Sequence, residues 1–246
     1  MIDVEEHGAV RVVRMHHGKV NALDLELLTA LRDTFAALRG RAVVLTGAGP
    51  CFSAGVDLRR VLDGGAQYTA AFLPALGAAC RAVFGHPRPV VAAVNGHAIA
   101  GGCILAAACD RRFMSGGTIG VTELAVGVPY PTVPMEVLRH ATGHHANDLV
   151  LSARTRSPAE AVGTGLIDAV VPPAQLLERA LAEADRLAVL PAETFALTKA
   201  QLRRDAVERM DEHEPVETAQ ILAGWTGPEQ RAAIAAFLDA LASRSR

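Results

Sequence analysis

The sequence predicts an α/β protein whose last third is helical, and three observations carry that reading. Short β-branched runs alternate with segments of helical apolar spacing over the first two thirds of the chain. Beyond Pro172-Pro173 only helical spacing remains. The chain has 246 residues, 50% of them hydrophobic, enough for one large core with a smaller helical appendage. The expected division is a core of 1–172 and a helical region of 173–246.

Val10–Met15 and 42–46 read as strands, and between them Leu28, Leu31, Phe35 and Leu38 recur at helical spacing. Asp24 is suited to cap that helix and Gly40 to stop it. The run PVVAAV at 89–94 is almost wholly apolar, as a strand buried on both faces would be, and Asn95-Gly96 ends it. Gly101-Gly102 opens CILAAACD, whose alanine content favours a buried helix. Arg111–Met114 reads as a short strand before the loop SGGT. In Ser157-Pro158-Ala159-Glu160, the capping Ser, Pro at the first helical position and Glu three residues after the cap form a capping box. The segments 174–190, 192–210 and 228–242 carry amphipathic helical spacing.

Lys plus Arg number 24 against 26 for Asp plus Glu, a formal charge of −2. Nucleic acid is therefore not an expected partner, since phosphate binding needs a cationic surplus. A basic membrane-surface role is disfavoured for the same reason, and the apolar runs are too short to span a bilayer. The acidic opening MIDVEEHGAVRVV lacks the pattern of a secretory signal. Four cysteines without a C-x-x-C pair suit buried, reduced thiols, so a cytoplasmic location without a disulfide framework or zinc site is expected. Glu136, His140 and His144 lie four apart, but Gly143 should end their helix before His144, which favours a solvated face over a metal site.

A glycine-rich loop, TGAGPCFSAGVDL, follows the strand AVVLT. Neither phosphate-binding template fits: no Lys-Ser or Lys-Thr follows its last Gly, and Phe52 stands where the dinucleotide fingerprint needs Gly. Ser53 lacks the Gly two positions earlier that a nucleophile elbow requires, so it reads as a loop hydroxyl. Two glycine-flanked turns remain. FSAGVDL sets Val56 at a loop-to-helix junction, and AIAGGCILAAACD does the same for Gly101, so each places an N–H with no intrahelical partner beside a glycine that admits close approach. Two such amides suit a developing oxyanion, although each segment alone is equally well a simple turn.

Together, FSAGVDL, PVVAAVNGHAIAGGCILAAACD and IGVTELAVGVP, with VNALDLELLTAL before them and SPAEAVGTGLIDAVVP after, resemble the enoyl-CoA hydratase/isomerase (crotonase) family from about Ala9 to Lys199. The resemblance implies a crotonase-like spiral of ββα units with a helical C-terminal part that serves trimerisation, in a homotrimer or homohexamer. It implies an acyl-CoA thioester as substrate, with no cofactor beyond the coenzyme A that the substrate carries. It implies that the Val56 and Gly101 N–H groups grip the thioester carbonyl, with Ala22, Ala54, Gly55, Asp57, Leu58 and Gly102 along the substrate path. Asp57 itself reads as a helix-start residue. Lys199 or a C-terminal Arg is a candidate to meet the coenzyme's phosphates, and Ala66, Ala70 and Ala71 to leave room near the acyl end.

The family's hydratases carry one Glu just after G-G-C and another in the later segment. Here the first position is Ile104, while the second is kept as Glu123. Hydration asks for water activation and a proton source, which two carboxylates supply readily. Moving a double bond from the 3,4 to the 2,3 position asks one carboxylate to take a proton from C2 and return one to C4. Ile104 therefore favours a 3,2-enoyl-CoA isomerase with Glu123 as base and acid, its pKa raised by partial burial. Glu136 is the only other nearby carboxylate suited to act as a second acid. The rivals are a 2-enoyl-CoA hydratase working with a single Glu, and an acyl-CoA-binding homologue with little turnover.

Overall fold

The computed structural model describes residues 1–244. β1 (Ile2–His7) and β2 (Val10–Met15) form an antiparallel hairpin, and α1 (Leu25–Ala37) follows. Asp24 caps α1 by accepting from the Leu27 N–H at 2.9 Å, and Leu27, Leu28, Leu31 and Phe35 form its buried stripe. β3 (Ala42–Gly47), β4 (Cys51–Ser53) and α2 (Leu58–Phe84) form one strand-strand-helix unit. β5 (Val90–Val94), β6 (His97–Ile99) and α3 (Gly101–Ala107) form the next. β7 (Arg111–Met114), β8 (Ile119–Gly120), α4 (Glu123–Val126) and α5 (Thr132–Thr142) form a third.

Each unit sends its first strand to one sheet and its second to another, which produces the spiral. The larger sheet runs β1-β2-β3-β5-β7-β10, where β10 is Ala169–Val170, and it is parallel apart from the β1–β2 pair. The smaller runs β4-β6-β8-β9, where β9 is Thr155–Arg156, with β4, β6 and β8 parallel. α6 (Ala146–Ser152) precedes β9, and α7 (Pro158–Gly163) lies between β9 and β10, where the capping box Ser157/Glu160 closes as expected.

Because strand side chains alternate, the large sheet feeds two cores. Val13, Val43, Leu45, Ala92 and Val94 pack with α1, α2 and α3 on one face. Val10, Val12, Val44, Val91 and Phe113 pack on the other against Leu176, Ala180 and Ala184 of α8 (Leu176–Ala188). α9 (Ala192–Thr226) and α10 (Pro228–Arg244) complete the chain. A third cluster joins them to the site: Val61 of α2, Val126, Val128, Trp225 and Ile234 are buried together.

α9 is anchored by charge. Asp110 accepts from Lys199 Nζ at 2.7 Å through one carboxylate oxygen and from Arg203 Nη2 at 2.8 Å through the other. All three side chains are largely buried, and Arg203 also donates to the Phe84 carbonyl. Burial lowers the Lys199 pKa to about 8 against the opposing pull of Asp110. Lys199 thus holds the fold together and does not line the cavity described below. The other candidate for phosphate contact, a C-terminal Arg, falls on positions 244 and 246, whose side chains lie outside those described.

Candidate active site

The three parallel strands of the small sheet set the site. β4 pairs with β6 and β6 with β8, so their C-terminal ends lie side by side. α2, α3 and α4 start just beyond those ends, which gathers Val56, Gly101 and Glu123 at one edge, as expected for ligand sites at the carboxyl ends of parallel strands.

Segment 20–24 runs alongside the first turn. Ala54 N–H donates to the Val20 carbonyl at 2.9 Å, Leu23 N–H to the Gly55 carbonyl at 2.7 Å and Asp57 N–H to the Leu23 carbonyl at 2.9 Å. Leu23 therefore bonds to the residues on either side of Val56 and leaves the Val56 N–H unclaimed by that bridge. Asn21, held at φ 51 and buried, ties this segment to the glycine loop, donating to the carbonyls of Ala48 and Cys51 at 3.0 Å. Ser53 is fully buried and donates to the Asn21 carbonyl at 2.7 Å, so its hydroxyl is structural. Asp57 caps α2 by accepting from the Arg60 N–H at 3.0 Å.

At the second turn, Gly101 is the first residue of α3, where no intrahelical acceptor reaches its N–H. Ala100 before it is held at φ 50, ψ −121, a costly conformation for a residue with a Cβ. The two turns touch: a Cβ on Gly101 would sit 3.9 Å from Val56 Cγ2 and 2.8 Å from Leu23 Cδ1. At Gly55, a Cβ would meet the Ile99 carbonyl oxygen at 2.5 Å, and at Gly102 the Ser53 carbonyl oxygen at 2.5 Å. Glycine at 55 and 102 is what lets the turns close on each other.

Glu123 opens α4 and is 6% exposed. Burial pushes its carboxyl up to about 7, against a weaker downward pull from the Thr122 and Glu123 main chain. Its Oε2 is buried without a hydrogen-bond partner. Glu123 lines a cavity of about 240 Å³ together with Ala54, Val56, Leu58, Ile99, Ala100, Thr122, Val126, Val128, Trp225, Phe237 and Leu241. Among the described residues, Glu123 is the only ionisable side chain in that lining.

Of the expected residues, Val56, Ala54, Leu58 and Glu123 line the cavity; Gly55, Asp57, Gly101 and Gly102 belong to the two turns without entering the lining, and Ala22 belongs to the strip beside the first turn. Ile104 is fully buried in the core. Two expectations fail. Glu136 is 2% exposed rather than solvated, and its oxygens are held by Arg139 Nη1 and Arg209 Nε, each at 2.6 Å, so it is not available as a second acid. Ala66, Ala70 and Ala71 lie on the exposed side of α2, outside the lining. No group of three metal-ligating side chains occurs among the described residues.

Trp225, Phe237 and Leu241 were not foreseen as walls. Trp225 lies beyond the segment 192–210 expected to be helical, since α9 runs on to Thr226, and the amphipathic spacing of 228–242 marks a buried face for Phe237 and Leu241 but not what it covers. Trp225 is fixed by its indole N–H, which donates to the Pro129 carbonyl at 2.9 Å. Asn21 was likewise missed as a clamp, although it stands in the N-A-L segment.

With this geometry, the chain belongs to the enoyl-CoA hydratase/isomerase family, whose model matches residues 5–239. It is an enzyme of that family, with relatives named both isomerase and hydratase. A putative enoyl-CoA hydratase of Thermus thermophilus is 40% identical over 179 residues, covering 71% of each chain. Human mitochondrial enoyl-CoA delta isomerase 1 is 30% identical over 219 residues, covering 85% of this chain and 72% of that one. The crystal structure of human mitochondrial delta3-delta2-enoyl-CoA isomerase superposes with a TM-score of 0.94 at 26% identity, covering 100% of this chain and 99% of that one.

Proposed function

We propose that the protein shifts the double bond of a 3-enoyl-CoA to the 2-position through a thioester enolate, with Glu123 as the single proton carrier. The observation that supports it is the cavity lining, in which Glu123 is the one ionisable side chain among the described residues. Ionised Glu123 removes a proton from C2. The negative charge that develops on the thioester oxygen accepts hydrogen bonds from the Val56 and Gly101 N–H groups, each contributing about 3 kcal/mol to lowering the barrier. The carboxyl, now protonated, delivers its proton to C4. A pKa of about 7 suits both steps at neutral pH, because neither form of the acid is scarce.

The acyl chain runs toward Val126, Trp225 and Phe237, and coenzyme A leaves past Ala22 and Ala54. No cofactor is needed beyond the coenzyme A of the substrate. A homotrimer or homohexamer is supported by the exposed Leu197, Leu202 and Val189 on and before α9. A cytoplasmic location is supported by four free, buried cysteines.

Purified protein is to be assayed with 3-hexenoyl-CoA and with crotonyl-CoA. Isomerisation of the first with negligible hydration of the second is expected, and the reverse pattern overturns the proposal. The second reading, a 2-enoyl-CoA hydratase working with one Glu, is favoured by the name of the Thermus relative. Light scattering reads the subunit number.

A further inference from the structure

Leu23 and Val56 form an isolated bridge between the strip 20–24 and the first turn, and each is followed by an aspartate, Asp24 and Asp57. One residue holds both aspartates. The main-chain N–H of Arg60 donates to Asp57 Oδ1 at 3.0 Å, and its guanidinium Nη1 donates to Asp24 Oδ2 at 2.9 Å. Arg60 stands in the first turn of α2, so a ring of contacts closes around the bridge: Leu23 to Val56 through the main chain, and Asp24 to Asp57 through Arg60. A bridge of one residue pair, next to Gly55 at φ 83, is weakly specified by its two main-chain bonds alone. The ring supplies what it lacks.

Both ends of the ion pair are fixed. The Arg60 guanidinium also meets the two Glu26 oxygens, at 2.7 and 2.8 Å, and lies 5.5 Å from the centre of the Tyr68 ring. Asp24 is 2% exposed; its Oδ1 accepts from the Leu27 N–H at 2.9 Å, and its Oδ2 lies 2.7 Å from His17 Nε2. Burial works against the Asp24 charge, but the Leu27 N–H, His17 and Arg60 outweigh it and hold the carboxyl below the usual aspartate range. Capping α1 uses only the Oδ1 bond. The Oδ2 bond to Arg60 fastens the strip to α2.

We propose that Asp24 and Arg60 are positioning residues for the Val56 N–H, their ion pair locking the bridge that aims this amide at the place where the thioester oxygen gains charge. The inference rests on the reading of that N–H as a donor to the enolate oxygen. Neither side chain enters the cavity lining, so the pair acts on the reaction through the geometry of one amide. A displacement of about 1 Å in such a group can cost as much as 10²-fold in rate. The charge the amide meets develops in the transition state, so loosening the turn lowers kcat and leaves KM in place.

The test is Asp24→Asn, which keeps an oxygen to cap α1, since Asn caps as well as Asp, and removes the charge that holds Arg60. Arg60→Met breaks the same pair from α2 without touching the cap. Both kcat and KM are measured with whichever of 3-hexenoyl-CoA and crotonyl-CoA the unaltered protein turns over, and amide hydrogen exchange of the ligand-free protein is followed by mass spectrometry. In both variants kcat should fall about tenfold with KM within about twofold. The amides of 54–58 should exchange severalfold faster while those of 28–37 keep their protection. A purely structural role predicts faster exchange along α1, a lower melting temperature and an unchanged kcat, and that result overturns the proposal, as does no change in either readout. Faster exchange at 54–58 with kcat unchanged overturns instead the assignment of the Val56 N–H to the thioester oxygen. Hydration in place of isomerisation refutes only the double-bond shift, because both reactions pass charge to the same oxygen.

Discussion

Replacing Glu123 with Gln should make the protein more stable as it makes it inactive, and the gain should depend on pH. Burial pushes the carboxyl up to about 7 in the folded protein, against 4.5 for a solvated glutamate. Its folded-state pKa is raised, so between about 4.5 and 7 the unfolded chain releases this proton while the folded protein keeps it, and stability falls as pH rises through that window. At about 1.4 kcal/mol per pH unit, the displacement amounts to about 3 kcal/mol by pH 8. Gln is isosteric and never charges, so the variant escapes that loss. Urea denaturation followed at pH 4.5 and at pH 8 measures it: the two proteins should have similar stability at the lower pH and differ by about 3 kcal/mol in favour of Gln at the higher. Equal stability at pH 8 would mean the carboxylate is well solvated or well paired, and the argument from burial would be wrong.

Three further substitutions probe the rest of the framework. Gly101→Ala places a methyl 2.8 Å from the mobile end of Leu23, so the fold should survive while the adjacent amide is displaced; kcat should drop tenfold or more with little change in melting temperature. Asp110→Ala leaves Lys199 and Arg203 buried without their shared counter-charge and should cost about 3–5 kcal/mol in chemical denaturation. Trp225→Ala removes a 2% exposed indole from the cavity wall, with an expected loss of about 3–5 kcal/mol and improved kcat/KM for longer acyl chains; unchanged chain-length preference would remove Trp225 from the acyl path.

The sequence was most legible where local chemistry decides the outcome. The β-branched runs of β2 and β3, the Asp24 cap and the capping box at Ser157 follow from short-range sterics and hydrogen bonding, and all formed. β1 was not foreseen, because IDVEEH has an exposed, charged pattern and earns its strand only by pairing with β2. α2 was not delimited either: Gly65 sits in a non-helical conformation within it and Pro74 lies inside it, which masks the period. The turn residues Val56 and Gly101 were visible from glycine placement, but their contact depends on β4 pairing with β6, a long-range register that periodicity does not reveal. Glu136 misled because its burial is compensated by Arg209, which is 73 residues away in sequence.

The roof over the cavity is a single helix. α10 contributes Phe237 and Leu241 to the walls and is tied to α2 by Arg231, which donates to the Leu62 carbonyl at 3.0 Å. Detaching that helix would leave both sheets and the two amide turns intact, so the chamber can breathe at a small fraction of the work of global denaturation. Amide hydrogen exchange should therefore find 228–244 far less protected than β5, and any large acyl thioester would gain entry by that door.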